Sequence, residues 1–333
     1  MNNFRILSLD GGGIKGTFIA SVLAQCERDT GKRIVEHFDL ITGTSTGGII
    51  ALALGLGLPA SQILEFYVSK GTKIFPATGL RSRSWRAVRH ILCAKYSQDT
   101  LRACLAEVFG NRRFGESLCR LLVVSYDAVA GDVHLFKTAH HPDFRQDFLR
   151  PVVEVAMATA AAPTYFPVFV ASNGLKHLDG GVWANCPAAL GVIEAMTYLG
   201  SKPGEIDVMS IGATAEPSYV PERKRPAGWL VWNKGLVDLL MQAQVQGAIA
   251  QCSALTNRRL FRVNPTVGVG RFALDDVRQI SELVALGVRE ARRNVCDIDK
   301  RFLYTPAERF QPCNGASTEV PVSHPVAGSR LQA

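Results

Sequence analysis

Two short apolar segments near the start of the chain each run into a glycine-rich turn and then into a helical pattern. Residues 4–9 (FRILSL) precede DGGGIKG at 10–16, and residues 38–42 (FDLIT) precede GTSTGG at 43–48. Apolar runs of this length are typical of strands buried in a parallel sheet. The repeated pattern of strand, turn and helix therefore predicts an α/β fold, with a mainly parallel central sheet and helices on both faces. Such sheets bind their ligands at the carboxyl ends of the strands, where both turns lie.

The same alternation continues along the chain. Helical spacing recurs at residues 17–28, 60–70, 84–92, 97–109, 151–161, 188–199, 234–255 and 276–301. Further strands are predicted at residues 121–126, 133–137, 175–178, 206–211 and 260–263. Because the sequence has no internal repeat and no clear linker, residues 1–305 are predicted to form a single domain, with the motifs within about residues 5–199. Residues 306–333 are rich in Pro, Gly and Ser and are predicted to be a loop or disordered tail.

Composition excludes several classes of protein. The 333 residues are 47% hydrophobic and 20% charged, which excludes a disordered chain. The net charge of +8 favours anionic partners such as phosphate or a lipid surface, and does not indicate binding of a nucleic acid polymer. The eight cysteines lack CxxC spacing, and the first residues lack a secretory signal, so we expect a cytoplasmic protein with mostly buried, reduced thiols. The uncharged stretches at 40–64 and 155–175 are interrupted by Gly and Pro, so we expect no transmembrane helix.

The second turn contains the pattern G-x-S-x-G, with Ser45 between Gly43 and Gly47. Between a strand and a helix this pattern is typical of a nucleophile elbow, a sharp turn that lifts the serine hydroxyl above the sheet. The glycines are needed because side chains there would collide with neighbouring elements. The N-terminus of the following helix favours negative charge at the same point. Ser45 is the predicted nucleophile, and an ordinary small-residue helix cap is the alternative.

The first turn also matches G-x-G-x-x-G, at Gly11, Gly13 and Gly16, and this raises a dinucleotide-binding alternative. That alternative requires an acidic residue at the end of the second strand to bind the ribose. The nearby acidic residues lie at the start of that strand, and Ser45 follows its end. We therefore favour an oxyanion hole, in which Gly11, Gly12 and Gly13 offer backbone N–H groups to a carbonyl oxygen.

A serine nucleophile needs a base, and Asp179 is the stronger candidate. It ends a predicted strand, and Gly180 and Gly181 behind it leave room for a close approach to Ser45. A carboxylate in a partly desolvated site can accept the serine proton directly. His177 is the rival base, and an ordinary Asp-Gly turn is the alternative for Asp179. A Ser-Asp-His triad cannot be laid out, because the one histidine after Asp179 lies in the predicted tail.

The glycine loop, the elbow and the D-G-G turn, in this order, resemble those of the patatin-like phospholipases. The resemblance implies a Ser–Asp dyad in place of a triad, with Ser45 as nucleophile and Asp179 as general base. It also implies that the N–H of Thr46 joins the glycine loop in the oxyanion hole. The remaining motif glycines are Gly16, Gly43, Gly47, Gly180 and Gly181.

Four segments, at residues 38–59, 71–76, 134–144 and 158–169, further resemble the patatin-type effectors of cyclic-nucleotide anti-phage signalling systems (CBASS). This resemblance implies that membrane glycerophospholipid esters are cleaved to release fatty acids when a cyclic dinucleotide such as cGAMP binds. It implies a cytoplasmic enzyme that is peripheral to the inner membrane when active. Apart from this allosteric ligand, it implies no cofactor. Asn185-Cys186-Pro187 departs from the N-N-P of relatives without touching the dyad.

Two helical segments have open interpretations. Residues 81–95 are basic with an apolar face, which suits an interfacial segment or lid on anionic phospholipid, a phosphate contact for a nucleotide, or a solvated surface helix. Residues 234–255 combine apolar positions with uncharged glutamines and are predicted to pack on the core, with self-association into a homo-oligomer as the alternative.

Other functions remain as alternatives at this point. They are an ungated carboxylesterase or acyl transferase of the same fold, and a non-catalytic module that binds lipid or nucleotide. No metal is predicted, because no His, Cys and carboxylate cluster has metal-ligand spacing and the calcium-loop pattern is absent from the sequence.

Overall fold

A computed structural model of the chain describes residues 3–76, 94–216 and 236–313, with side chains of the last range from residue 239. The strands are β1 (Phe4–Leu9), β2 (Leu40–Thr44), β3 (Arg120–Asp127), β4 (Asp132–Lys137), β5 (Phe169–Val170), β6 (Lys176–Asp179), β7 (Ile206–Ile211) and β8 (Leu260–Val263). The helices are α1 (Gly16–Thr30), α2 (Thr46–Gly55), α3 (Ala60–Ile74), α4 (Gln98–Phe109), α5 (Val152–Thr159), α6 (Gly181–Ala184), α7 (Ala188–Tyr198), α8 (Leu236–Leu255) and α9 (Ile280–Phe302).

The described strands form one eight-stranded sheet in the order β5-β6-β3-β2-β1-β7-β8, with β4 paired to β3. The run from β3 through β2, β1 and β7 to β8 is parallel. Strands β4 and β6 pair antiparallel with β3, and β5 pairs antiparallel with β6. The predicted α/β fold with a mainly parallel sheet is confirmed.

Helices cover both faces of this sheet. Because successive side chains of a strand point to opposite faces, neighbouring residues enter different cores. Leu7 and Ile41 belong to a large core beneath α1, α2, α3, α4, α5 and α9, whereas Ile6 and Leu40 belong to a smaller core beneath α7 and α8. Both faces of the central strands are therefore buried, which explains why their sequences are apolar without alternation.

One edge of β3 receives two strands end to end. Strand β4 pairs with β3 along residues 122–127. Strand β2 pairs with β3 as far as Thr44 opposite Val124, and β6 pairs with it from Asp179 opposite Ser125. Because a strand has two edges and β4 occupies one of them, β2 and β6 share the other. The last residues of these two strands therefore stand opposite consecutive positions of β3.

Strand and helix bounds agree with the sequence pattern to within a few residues, except at two short elements. Strand β5 and helix α6 were not predicted, since two and four residues are too short to show a period. Helix α8 packs on the smaller core through one face only: Cys252 is buried and Ile249 is partly buried, while Leu240 is 54% exposed.

Some of the predicted segments lie partly or wholly outside the described residues. The predicted helix at 84–92 and most of the basic segment 81–95 lie outside the described residues, as do residues 314–333 of the predicted tail. Residues 306–313 are irregular in conformation; within them the N–H of Ala307 donates to the carbonyl of Glu36 at 2.7 Å, and Phe310 is buried. Among the described helices, none is long and apolar enough to cross a membrane.

The described cysteines are all free thiols. Those with buried side chains are Cys26, Cys104, Cys119, Cys186 and Cys252, and those with exposed side chains are Cys296 and Cys313. Burial raises the pKa of Cys26 and Cys119 to about 12, so these thiols stay protonated. They behave as small apolar side chains in the core.

Candidate active site

Ser45 lies on a strained turn between β2 and α2. Its backbone adopts φ 54° and ψ −124°, in a region that a residue with a side chain rarely occupies. A Cβ on Gly43 would lie 2.4 Å from the carbonyl oxygen of Gly47, and one on Gly47 would lie 2.2 Å from that of Leu9. Both positions of the elbow therefore exclude any side chain, which is the steric reason that the sequence pattern suggested.

The structure brings Ser45 and Asp179 into direct contact. The Ser45 hydroxyl donates a hydrogen bond to Asp179 Oδ2 at 2.6 Å, across 134 residues of sequence. The other carboxylate oxygen, Oδ1, accepts the N–H of Gly181 at 2.7 Å. A Cβ on Gly180 would lie 2.5 Å from the carbonyl oxygen of Val124, so the D-G-G turn needs its glycine to approach β3 this closely.

The Asp179 carboxyl group is almost fully buried. It is 4% exposed, and this burial raises its pKa from 3.8 to about 6, although the hydrogen bonds from Ser45 and from the Gly181 N–H act in the opposite direction. At neutral pH the group is still ionised, and it holds a proton more readily than an exposed aspartate does. Such a carboxylate can accept a proton from the hydroxyl that it already contacts.

His177, the rival base, belongs to a different set of contacts. Its Nδ1 lies 3.4 Å from the hydroxyl of Ser125, and its ring packs against His134 at 5.1 Å between centroids. Burial, followed by the neighbouring His134, lowers the pKa of His177 to about 4. The residue is therefore neutral at physiological pH, and the serine hydroxyl is directed at Asp179 instead.

The two glycine-rich turns converge at the serine. A Cβ on Gly11 would lie 3.2 Å from Cβ of Ser45, and one on Gly16 would lie 2.1 Å from Oγ1 of Thr46. The backbone of the first loop therefore passes directly beside the nucleophile elbow. Only a chain without side chains at these positions allows the approach.

The predicted set of oxyanion donors needs one correction. The N–H of Gly11 donates to the carbonyl of Asn185 at 3.0 Å, so this group is already used inside the fold. Among the described residues, no acceptor takes the N–H of Gly12 or Gly13. Thr46 is the first residue of α2, where N–H groups have no partner within the helix. The available donors are therefore Gly12, Gly13 and Thr46.

A buried ion pair anchors the glycine loop, and none of the sequence motifs indicates it. The guanidinium of Arg262, on β8, contacts both carboxylate oxygens of Asp10 at 2.6 and 3.1 Å, and also donates to the Ser210 hydroxyl at 2.6 Å. Asp10 is 2% exposed. The pair fixes the first residue of the loop to the neighbouring strands. An arginine inside the apolar run of residues 260–263 is the signal that could have found it.

Comparison of the sequence with models of protein families identifies the family of the chain. A family model described as patatin-like phospholipase matches residues 7–192. The chain belongs to this family. Patatin-like phospholipases are lipid acyl hydrolases, so the chain is a carboxylic ester hydrolase, and the resemblance seen in its three motifs is confirmed.

Similar proteins come from several bacteria. A cGAMP-activated phospholipase of Pseudomonas aeruginosa is 38% identical over 247 residues, which cover 72% of both chains. Proteins with the same name from Vibrio cholerae and Escherichia coli are 33% and 32% identical, over 65% and 69% of each chain. The similarity to the patatin-type phospholipases of bacterial signalling systems is thereby confirmed.

Proposed function

We propose that this patatin-like phospholipase cleaves glycerophospholipid esters of membranes with a Ser45–Asp179 dyad and releases fatty acids. The observation that carries the proposal is the 2.6 Å hydrogen bond from the Ser45 hydroxyl to Asp179 Oδ2. It joins a hydroxyl on a strained turn to a carboxylate that burial has made more basic. Asp179 takes the proton of Ser45 as Ser45 attacks the ester carbonyl.

The orientation of the base supports this role. Because the Gly181 N–H holds Oδ1, the oxygen that faces the serine is Oδ2, and it is the atom that receives the proton. The leaving alcohol takes this proton, and a water molecule then hydrolyses the acyl-enzyme by the same route in reverse. Since Asp179 must be ionised to act as a base, hydrolysis is expected to decline as the pH falls below about 6.

Backbone amides would stabilise the negative charge on the ester oxygen. The N–H groups of Gly12, Gly13 and Thr46 are the donors that the geometry leaves available, and the N-terminus of α2 adds a favourable dipole. Donors of this kind act where charge develops during the reaction, and loss of one typically lowers the rate by about 10²–10³-fold.

The regulation that we propose rests on the relatives. Three similar bacterial proteins carry the name cGAMP-activated phospholipase. We therefore propose that a cyclic dinucleotide such as cGAMP activates this enzyme in anti-phage defence, and that the active enzyme binds the cytoplasmic surface of the inner membrane as a peripheral protein. In this proposal the cyclic dinucleotide is an allosteric ligand, and the dyad carries the chemistry without a metal.

The test is fatty-acid release from vesicles of phosphatidylethanolamine and phosphatidylglycerol, with no nucleotide or with each of a panel of cyclic dinucleotides. The enzymes compared are the wild type, Ser45→Ala, Asp179→Asn and, as a matched control, Ser172→Ala on an exposed turn. We expect release by the wild type and the control with one class of nucleotide, and none by the two dyad variants.

Each part of the proposal has its own contrary result. Release by Ser45→Ala at the wild-type rate would exclude the dyad. Equal release by the wild type under every nucleotide condition, including none, would exclude the gating and favour an ungated esterase. Hydrolysis of a soluble short-chain ester without any release from vesicles, under all conditions, would exclude the membrane substrate.

A further inference from the structure

The C-terminal end of helix α5 lies against both residues of the dyad. The hydroxyl of Thr159, the last residue of α5, accepts the backbone N–H of Ser45 at 2.9 Å. Two residues later, the carbonyl of Ala161 accepts the backbone N–H of Asp179 at 3.0 Å. The nucleophile and the base are therefore both hydrogen-bonded, through their own backbones, to one short piece of chain.

Thr159 also ties the elbow to the sheet. Its hydroxyl donates to the carbonyl of Val124 at 2.5 Å, while it accepts the N–H of Ser45. Val124 is the residue of β3 that stands opposite Thr44, the last residue of β2. The hydroxyl thus links the backbone N–H of Ser45 to strand β3. It acts as both donor and acceptor, and the side chain is fully buried.

The residue opposite the base is held by the same helix end. Ser125 pairs with Asp179 in the β3–β6 ladder, and its hydroxyl lies within hydrogen-bonding distance of the carbonyls of Ala158, at 3.2 Å, and Leu178, at 3.0 Å. Residues 158, 159 and 161 therefore contact the elbow, the base and strand β3, which pairs with both. Their bonds fix the two strand ends relative to each other.

The hydrogen bond to Thr159 gives the backbone N–H of Ser45 an acceptor inside the protein. Ser45 occupies a backbone conformation that persists only where the surroundings hold it. Its N–H donates to a fully buried side chain, and a buried donor without an acceptor is unfavourable. Without the Thr159 hydroxyl, the turn would relax toward another acceptor, and the serine hydroxyl would move with it.

We propose that Thr159 is a positioning residue, whose hydroxyl holds the backbone of the elbow so that Ser45 Oγ stays within hydrogen-bonding distance of Asp179. The inference rests on the proposed function of the dyad. It gives Thr159 a role that the dyad mechanism itself does not include.

The experiment compares Thr159→Val, which keeps the shape and removes the hydroxyl, with Thr159→Ser, which keeps the hydroxyl. Thr138→Val is the matched control, because Thr138 is also fully buried and its hydroxyl accepts a backbone N–H of β3, that of Leu121 at 3.0 Å. The measurement is the second-order rate constant for labelling of Ser45 by a fluorophosphonate, from pH 5 to pH 9, on proteins whose fold is checked by circular dichroism.

We expect labelling of Thr159→Val to be about 10–100-fold slower than that of the wild type, the range that a displacement near 1 Å produces. Thr159→Ser should stay within about 3-fold of the wild type, and Thr138→Val should match the wild type even if it is less stable. The acid limb of the Thr159→Val profile should also move to higher pH, because the hydrogen bond from Ser45 that lowers the pKa of Asp179 is weakened.

Two results would overturn the inference. One is labelling of Thr159→Val at the wild-type rate with an unchanged pH profile; the other is a Thr159→Ser variant as slow as Thr159→Val. If the valine variant does not fold, Thr159→Ala gives the same comparison without the added methyl contacts. Failure of the wild type itself to be labelled at Ser45, both without nucleotide and with each cyclic dinucleotide of the panel, would instead refute the proposed dyad, and with it this role of Thr159.

Discussion

Replacement of Asp179 by asparagine is expected to abolish hydrolysis and to stabilise the fold at the same time. Burial raises the pKa of this carboxyl from 3.8 to about 6, which means that the ionised form destabilises the fold relative to the neutral form. At about 1.4 kcal/mol for each pKa unit, the interval corresponds to about 3 kcal/mol. Asparagine carries no charge, has nearly the same shape and can still accept the Gly181 N–H. We therefore expect Asp179→Asn to be more stable than the wild type by about 3 kcal/mol at pH 8.

The sign of the pH dependence follows from the direction of the pKa change. Between pH 6 and pH 3.8 the folded carboxyl binds a proton that the unfolded chain has released, so lowering the pH through this interval stabilises the wild type relative to the variant. The advantage of Asp179→Asn should therefore disappear below about pH 4.

Thermal unfolding at pH 8 and pH 4 measures this difference. For a chain of this size, about 3 kcal/mol corresponds to an increase of roughly 5 °C in the unfolding midpoint. Ser45→Ala is the informative comparison, because it removes a hydrogen bond to the ionised carboxylate and should lower the midpoint at pH 8. An Asp179→Asn variant that is no more stable than the wild type at pH 8, or whose advantage is the same at both pH values, would refute the reasoning.

Three further predictions concern the surroundings of the site. Burial lowers the pKa of His177 from 6.5 to about 4, so its contribution to stability is complete above pH 6.5 and is lost as the pH falls toward 4. The thermal midpoint of His177→Gln should therefore fall less steeply than that of the wild type over this interval. An identical fall would contradict the lowered pKa. Arg262→Met leaves the carboxylate of Asp10 buried and unpaired, and should lower the free energy of unfolding, measured in urea, by about 3–5 kcal/mol. Adding Asp10→Asn should recover much of this loss. A double variant as unstable as Arg262→Met alone would argue against the ion pair as the cause. Gly47→Ala should prevent correct folding or activity, since its Cβ would lie 2.2 Å from a carbonyl oxygen of β1. The control Gly247→Ala on α8, with open space around it, should stabilise the fold by about 0.5–1 kcal/mol. Equal yields and activities of the two variants would show that the elbow has room for a side chain.

The parts of the site that were predictable depend on local chemistry. Gly43 and Gly47 are required by collisions within a few residues of Ser45, so the motif alone indicates the turn. The choice of Asp179 over His177 followed from its place at the end of a strand and from the glycines behind it. The expected contact with Ser45 is present, at 2.6 Å.

The remaining features depend on contacts between distant segments, which the sequence does not show. The N–H of Gly11 was expected to bind an oxyanion, yet the carbonyl of Asn185 accepts it, and that residue comes 174 positions later. Arg262 meets Asp10 because β1 and β8 lie on either side of β7 in the sheet, which the sequence alone does not show. The hydroxyl of Thr159 had no distinguishing sequence pattern, because a threonine at the end of an apolar helix is ordinary until its neighbours are known.

The end-to-end meeting of β2 and β6 along one edge of β3 has a consequence for how such an enzyme can vary. Thr44 and Asp179 stand opposite neighbouring positions of a single strand, so the spacing of the reactive pair is inherited from one peptide unit of β3. The lengths of the loops that join these elements do not enter that spacing. Insertions and deletions in these loops, outside β3 and residues 158–161, can reshape the approach to Ser45 without changing the distance between the dyad atoms.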